Sequence, residues 1–448
     1  MTRASLASIG AVTGACLLAT APVALAQQAA TTARPADKPP IAQGWIDIAT
    51  FGSPGMPGGM AGMMMGGAGG DSPLSAMMGG GKKQGNQFGL TQHGGSGSYV
   101  DVTLRTSRNP NLAEALQAVP EGTKLAPTLQ LKVLPQSKPV PETSDETIEP
   151  PGEPPKGKIK LYWGCGPTVR PGQPKVVDLS TATISQFGDI FKGRRATQRG
   201  THSAPGRPVW PNPQDNRMVP AGSSLVGAHA FTGQGVPESF KFSLPPAQDI
   251  MPPIALQQAQ VDGVTQLTWQ ALPTARAYFI AAMGGKGDDS GNSEMTLWTS
   301  SELPDSGFGL IDYQTNKSVD QWLKEKVLLA PTTTRCDVPK GIFGEGEASG
   351  AMLRMIAYGT ELNLAYPPRP TDPKVAWEPD WALKVRVKSV AMSMLGMPSM
   401  DGGDAAMPAD AAAGGEGEPA AAPEEQKKKK KFGLKDALDA VKGNVPIP

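Results

Sequence analysis

The chain is poor in the residues on which most catalytic chemistry depends. Its 448 residues include only three histidines and three cysteines, and aromatic residues make up 6%. No His or Cys spacing typical of a zinc site occurs, and no glycine-rich loop lies at a strand-to-helix switch that would bind a nucleotide. Residues 93–97 (HGGSG) are similar to an oxyanion loop of esterases, but the Gly-x-Ser-x-Gly nucleophile motif is missing. The composition therefore predicts a non-catalytic protein with no cofactor, and a hydrolase is retained only as an alternative.

Long apolar runs are also missing beyond the N-terminus. Arg3, the uncharged run 9–18 and the Ala-Leu-Ala sequence at 24–26 form the three-part pattern of a secretory signal peptide over residues 1–26. The apolar run is shorter than the roughly 18 residues of a membrane-spanning helix. Lipidation of Cys16 is the weaker alternative, because the usual aliphatic residue three positions earlier is absent. We therefore expect export to the periplasm or outer envelope of a bacterium, with no transmembrane span in the mature chain.

Two cysteines remain after the signal peptide, Cys165 and Cys336. In an oxidising compartment an even number of cysteines favours a disulfide. Two separately buried thiols are the alternative.

Glycine and proline are abundant, with 54 and 45 residues. Such stretches do not bury enough apolar surface to fold. Disordered or linking segments are predicted at residues 27–42, at a Gly/Met insertion over 52–97, at a Pro/acidic linker over 136–156, and at the tail 396–448.

Between these segments the chain has the period-two alternation of β-strands. Residues 43–51 and 98–106 alternate apolar and polar side chains and could pair across the Gly/Met insertion. Residues 111–118 carry the one helical pattern of this region. Further strands are predicted at 129–134, 158–163, 176–179 and 240–244. Together these elements predict an N-terminal β-domain over residues 43–250.

The second half has a different pattern. Three strands follow one another at 254–261, 264–270 and 275–283, with Trp269 in the second and Tyr278 in the third. Over about residues 252–370 this order resembles a fibronectin type III domain, which implies a β-sandwich that serves as a scaffold or binding module. A helix is expected as an insertion at 317–329, and one more strand at 383–388.

The predicted fold class is therefore all-β. Two β-sandwich-like domains, 43–250 and a fibronectin type III-like unit with an extra strand over 251–395, are combined with a disordered Gly/Met insertion and a disordered C-terminal tail.

The charges are unevenly distributed along the chain. Residues 156–217 contain eleven Lys and Arg against three Asp, together with five aromatic residues. Basic residues interleaved with aromatics are typical of polyanion binding, whereas a solvated loop that balances the acidic linker 142–153 is the alternative. The tail adds a second basic cluster, followed by a short amphipathic helix predicted at 432–442. The candidate polyanion-binding residues are Lys192, Arg194, Arg195, Arg199, Arg207, Lys427, Lys428, Lys429, Lys430 and Lys431.

These features lead to the first functional hypothesis, a secreted cell-envelope scaffold that contacts anionic envelope polymers or lipid surfaces through its basic loop and tail. An envelope protein is a further candidate partner. Export excludes nucleic acid as the partner.

Methionine supports a second hypothesis. Twelve of the 19 methionines lie in the Gly/Met insertion or near the tail, and the spacing of residues 392–400 resembles the methionine motifs of secreted copper-handling proteins. Thioether sulfur is a soft ligand that favours Cu(I); flexible apolar low-complexity sequence is the alternative. The candidate ligands of this periplasmic Cu(I)-binding alternative are Met56, Met60, Met63, Met64, Met65, Met392, Met394, Met397 and Met400.

Overall fold

A computed structural model describes residues 37–54, 85–135, 157–179, 181, 193–196, 200–287, 293–344, 351–372 and 374–396. Within these ranges the protein is all-β, as the alternation predicts. The disorder predicted at 55–84, 136–156 and 397–448, and the helix predicted at 432–442, lie outside the described residues.

The described strands are numbered in chain order. They are β1 Ala42–Gly52, β2 Gly97–Thr106, β3 Glu114–Ala118, β4 Thr128–Lys132, β5 Gly157–Trp163, β6 Lys175–Asp178, β7 Val209–Trp210, β8 Gly227–Gly233, β9 Lys241–Leu244, β10 Gln257–Val261, β11 Val264–Thr268, β12 Ala277–Gly287, β13 Ser293–Thr299, β14 Arg335–Val338, β15 Met352–Tyr358, β16 Leu362–Tyr366 and β17 Trp381–Met394. Two α-helices, α1 Leu90–His93 and α2 Asn316–Lys324, and short 3-10 turns at Glu121–Thr123 and Pro246–Gln248 complete the described secondary structure.

Among the described residues, fourteen strands form one mixed sheet. Their order is β6-β5-β13-β12-β15-β17-β1-β2-β7-β4-β3-β8-β9, and β16 pairs with the start of β17. The predicted pairing of residues 43–51 with 98–106 is confirmed as the antiparallel β1–β2 pair, with Ile46 opposite Val102 and Ile48 opposite Val100. On its other side β1 runs parallel to β17. The sheet is therefore continuous across the boundary expected near residue 250, and its centre joins the first and last strands.

One face of the sheet is apolar and forms the main core. Ile46, Val102 and Val385 lie on this face and are almost completely buried. A second sheet of three strands, β10-β11-β14, contributes Leu267 and Val338 to the same core. The two sheets thus pack face to face, as in a β-sandwich.

Two local predictions are corrected by the structure. Residues 111–118 are not helical, because the segment contains strand β3, in which Ala115 and Gln117 alternate inward with exposed neighbours. Part of the Gly/Met insertion is folded, since residues 85–97 include α1 with a buried Thr91. The strand predicted at 383–388 is confirmed as part of β17; it lies at the centre of the sheet, where the side chains of Arg386 and Lys388 are 3% and 0% exposed. The helix predicted at 317–329 is present as α2.

A disulfide joins Cys165, just after β5, to Cys336 on β14. It connects the large sheet to the three-stranded sheet across a sequence separation of 171 residues. A covalent link over so long a loop restricts the unfolded chain strongly.

We therefore expect the double substitution Cys165→Ala and Cys336→Ala to lower the free energy of unfolding by up to about 5 kcal/mol, the loop-entropy value for this length. Denaturant unfolding of the variant and of the wild type would measure this difference. Alkylation of the wild type without reductant should label neither cysteine; two labelled thiols would refute the bridge.

Candidate functional site

The predicted basic loop does not form one exposed cationic patch in its described part. Arg194 makes ion pairs with Asp305 and Glu325, at 3.2 and 3.3 Å. Arg207 is buried, and its guanidinium lies 4.6 Å from the ring centroid of Trp45. Arg195 is exposed. The other polyanion candidates, Lys192, Arg199 and the lysines 427–431, lie outside the described residues.

The methionine candidates are also divided. Met392 and Met394 lie near the end of β17 and are partly exposed. The remaining candidate copper ligands, at 56, 60, 63, 64, 65, 397 and 400, lie outside the described residues.

A groove of about 280 Å³ opens on the sheet where β1, β16 and β17 run side by side. Trp45 and Trp377 line it, together with the amide side chains of Gln43 and Asn363. Trp45, Lys384 and Asn363 occupy the same register position on the three strands and therefore share one face of the sheet. Trp377 is held beside them because its indole N–H donates to the carbonyl of Pro367 at 3.0 Å. The result is a groove lined by two indole-bearing residues and two amide-bearing residues. We call it the tryptophan groove.

Arginine side chains surround the two indoles of the tryptophan groove. The guanidinium carbons of Arg105 and Arg207 lie 5.7 and 4.6 Å from the Trp45 ring centroid, within cation–π range. Arg369 lies 5.1 Å from the Trp377 ring and is ion-paired with Asp37. Arg105 is exposed, and no carboxylate of the described residues pairs with it. The groove therefore has a positive rim.

Directly beyond Trp45 on the same face lies a buried ion pair. Asp47 on β1 accepts two hydrogen bonds of 2.6 Å from Nε and Nη2 of Arg386 on β17. The backbone N–H and the hydroxyl of Thr201 donate to the same carboxylate, at 3.0 and 2.7 Å. Gly200 is required here, since a Cβ atom at this position would lie 1.7 Å from Nη2 of Arg386. A bidentate, fully hydrogen-bonded pair is the geometry in which buried charges are tolerated.

Lys388, the next residue of β17 on this face, makes a second ionic contact. We call the four residues Asp47, Arg386, Lys388 and Asp312 the ionic layer. The Lys388 ammonium group donates to Asp312 at 3.0 Å and lies 4.2 Å from the ring centroid of Tyr313, whose other cationic neighbour is Arg386 at 4.3 Å. The Tyr313 hydroxyl donates to the carbonyl of Ile48 on β1 at 3.0 Å. Burial lowers the pKa of Lys388 to about 8, although the charge of Asp312 opposes the shift. These contacts hold the loop around residue 312 against the centre of the sheet.

Asp101 is a further buried ionisable group of this face. It lies opposite Asp47 in the β1–β2 register and accepts hydrogen bonds from Gly89 and Thr91 at the start of α1. Burial raises the pKa of Asp101 to about 7, against the lowering effect of these hydrogen bonds, and the nearby Asp47 adds to the increase.

Sequence analysis missed both the tryptophan groove and the ionic layer. A signal was available for the ionic layer, because Asp47 and Asp101 each stand between two β-branched apolar residues in strands predicted to pair. Isolated carboxyls in such strands are buried and need partners. Their main partner, Arg386, is 339 residues from Asp47, so no local pattern identifies it. Trp377 lies in an irregular segment with no periodicity.

The chemistry of this face is suited to binding. Among the described residues, no group of three His, Cys, Asp or Glu could hold a metal ion. No helix of the described part of the chain is long and apolar enough to cross a membrane. Comparison with known proteins finds no matching family model, curated sequence or solved structure.

The raised pKa of Asp101 predicts a specific pH dependence of stability. Between about pH 4 and 7 the folded protein keeps the Asp101 proton that the unfolded chain releases, so this group's contribution to stability falls as pH rises. In Asp101→Asn that contribution is removed. From pH 4 to pH 7 the free energy of unfolding of the wild type should therefore decrease relative to that of Asp101→Asn. Denaturant unfolding of both proteins at each pH would measure this difference. Parallel pH profiles would contradict the assignment.

Proposed function

We propose that the protein is an exported, non-catalytic scaffold of the bacterial cell envelope that binds an anionic polysaccharide in the tryptophan groove. The observation that carries this proposal is the groove lined by Trp45, Trp377, Gln43 and Asn363, with the exposed Arg105 beside Trp45. Export is supported by the signal-peptide pattern and is consistent with the disulfide.

Each part of the groove suits one part of such a ligand. The C–H faces of sugar rings pack on indole rings, which offer a rigid apolar surface. The amides of Gln43 and Asn363 can donate and accept hydrogen bonds with hydroxyl groups. The guanidinium of Arg105 is placed to pair with a carboxylate or phosphate on the polymer. A neutral glycan would lack the last contact, so the proposal is for an acidic one.

The basic loop has a changed role in this proposal. Arg194 and Arg207, first considered as direct polyanion ligands, are engaged by carboxylates and by Trp45 respectively. Arg207 then acts by fixing the Trp45 ring. The lysines 427–431 are kept in the proposal as a separate, salt-sensitive contact with anionic lipid surfaces.

We also propose that residues 252–370 form a fibronectin type III-like unit. The support is the strand order, in which β10-β11-β14 face β13-β12-β15-β17 as two sheets of a sandwich. In this arrangement β17 is shared with the N-terminal part through its parallel pairing with β1. The unit would thus serve as the rigid base of the groove.

The groove can be tested by titrating the protein with alginate oligomers, a polyuronate, and following indole fluorescence. Trp377→Ala should weaken binding at least tenfold, since one of the two stacking surfaces is lost. Arg105→Gln should weaken alginate binding and reduce its salt dependence, because one charge contact is removed. Trp163→Ala is the matched control, as Trp163 is a partly exposed indole on β5, away from the groove.

Two further measurements distinguish the acidic polysaccharide from a neutral one and the groove from the lysine-rich tail. Neutral dextran oligomers should bind at least tenfold more weakly than alginate. Deletion of residues 427–448 should reduce sedimentation with phosphatidylglycerol vesicles at low salt and leave alginate binding unchanged. Equal affinity of wild type and Trp377→Ala for alginate would overturn the groove assignment.

A further inference from the structure

Three methionines form a row across neighbouring strands at the end of the sheet opposite the tryptophan groove. Met283 on β12 is the register partner of Met352 on β15, and Met352 is the register partner of Met394 on β17. Residues directly opposite each other on paired strands point to the same face, with Cβ atoms roughly 5 Å apart. The three thioether groups are therefore neighbours on one surface. We call them the methionine row.

The methionine row is more exposed than the methionines of the core, while Met283 also packs against the apolar cluster that contains Ile159 and Leu297. All three side chains are partly exposed, whereas Met355 and Met295 are 0% and 3% exposed. Met392, two residues before Met394, adds a fourth partly exposed thioether on the same face. Flexible sulfur-bearing side chains at a solvent-accessible position can rearrange around a ligand, as buried ones cannot.

We propose that the methionine row binds one Cu(I) ion through the thioether sulfurs of Met283, Met352 and Met394. Uncharged thioethers are soft ligands that select Cu(I) over hard divalent ions. The nearest cation on the same face of β15 is Arg354, whose guanidinium donates to the carbonyl of Ile311 at 3.0 Å, in the loop that leads to Asp312. This hydrogen bond ties the Arg354 side chain to the loop that carries Asp312.

The position of the row in the chain supports this proposal. The Met-rich stretch at residues 56–78 begins immediately after Pro54, and the carbonyl of Pro54 accepts a hydrogen bond of 2.9 Å from Ser393, the neighbour of Met394. The second Met-rich stretch follows β17 directly. Both stretches thus connect to the sheet near the end of β17, the first of them from the face opposite the methionine row, because Ser393 and Met394 point to opposite faces of the sheet.

The test uses the full-length mature protein and Cu(I) kept reduced with ascorbate, with bicinchoninate as the competing chromophoric chelator. The triple substitution Met283→Leu, Met352→Leu and Met394→Leu should raise the dissociation constant of the most tightly bound Cu(I) ion at least tenfold. The single substitution Met352→Leu, which removes the central ligand and preserves side-chain volume, should raise it measurably. Met218→Leu is the control, because Met218 is exposed and lies outside the row.

A second variant separates the row from the Met-rich stretch. Replacing Met56, Met60, Met63, Met64 and Met65 by Leu should leave the dissociation constant of the most tightly bound Cu(I) ion unchanged. X-ray absorption of this variant should show only sulfur ligands of Cu(I). Circular dichroism checks that each variant is folded; should the triple variant be unfolded, Met352→Leu decides. Unchanged binding by the row variants, loss of the most tightly bound Cu(I) ion in the stretch variant alone, or no binding by the wild type would overturn the proposal.

Discussion

The hydrogen-bonded ion pair between Asp47 and Arg386 holds the centre of this protein together. It joins β1 and β17, the first and last strands, which run parallel and share eleven register pairs from Ala42–Trp381 to Gly52–Ala391. Removing both charges from water is costly, and only complete hydrogen bonding makes the pair tolerable. Four hydrogen bonds from Arg386 and Thr201 provide that compensation. The segment that contains Thr201 covers the sheet here, and its hydrogen bonds to the Asp47 carboxylate hold it in place.

The same pair divides one face of the sheet into three zones. Toward the start of β1 and β17 lies the tryptophan groove, and toward the end of β17 lies the methionine row. Between them lie the ionic layer and, next to it, a second apolar cluster that includes Phe51 and Val390. Because successive same-face residues on β17 pass from Lys384 to Arg386, Lys388 and finally Met394, one strand contributes to all three zones. A polysaccharide ligand and a soft metal ion would then bind at opposite ends of one rigid element. The opposite face is apolar and supplies the core.

Local alternation predicted several of the strands, among them the β1–β2 pair, because period-two patterns report directly on burial. It missed others, such as β8, and the segment of β3 was predicted as a helix. It was not enough to predict the β1–β17 pair, which brings together residues more than 330 positions apart. It also gave no indication that Arg386 and Lys388 are buried, since a charged residue that alternates with valine normally faces solvent. The ion pairs of the basic loop could not be predicted for a related reason. Its charges could be counted, but Asp305 and Glu325, which neutralise Arg194, lie over 100 residues away. The groove combines β1 with residues more than 300 positions further along the chain, so no local sequence pattern indicates its position.

The most direct test of this account is a double-mutant cycle on the central ion pair, measured as free energies of unfolding in denaturant. Asp47→Leu and Arg386→Met should each cost about 3 to 5 kcal/mol, because each leaves one buried charge without its partner. The double variant should cost less than the sum of the two by at least about 2 kcal/mol, since neither charge then remains. Additive costs would show that Asp47 and Arg386 act independently and would contradict the central role assigned to their contact.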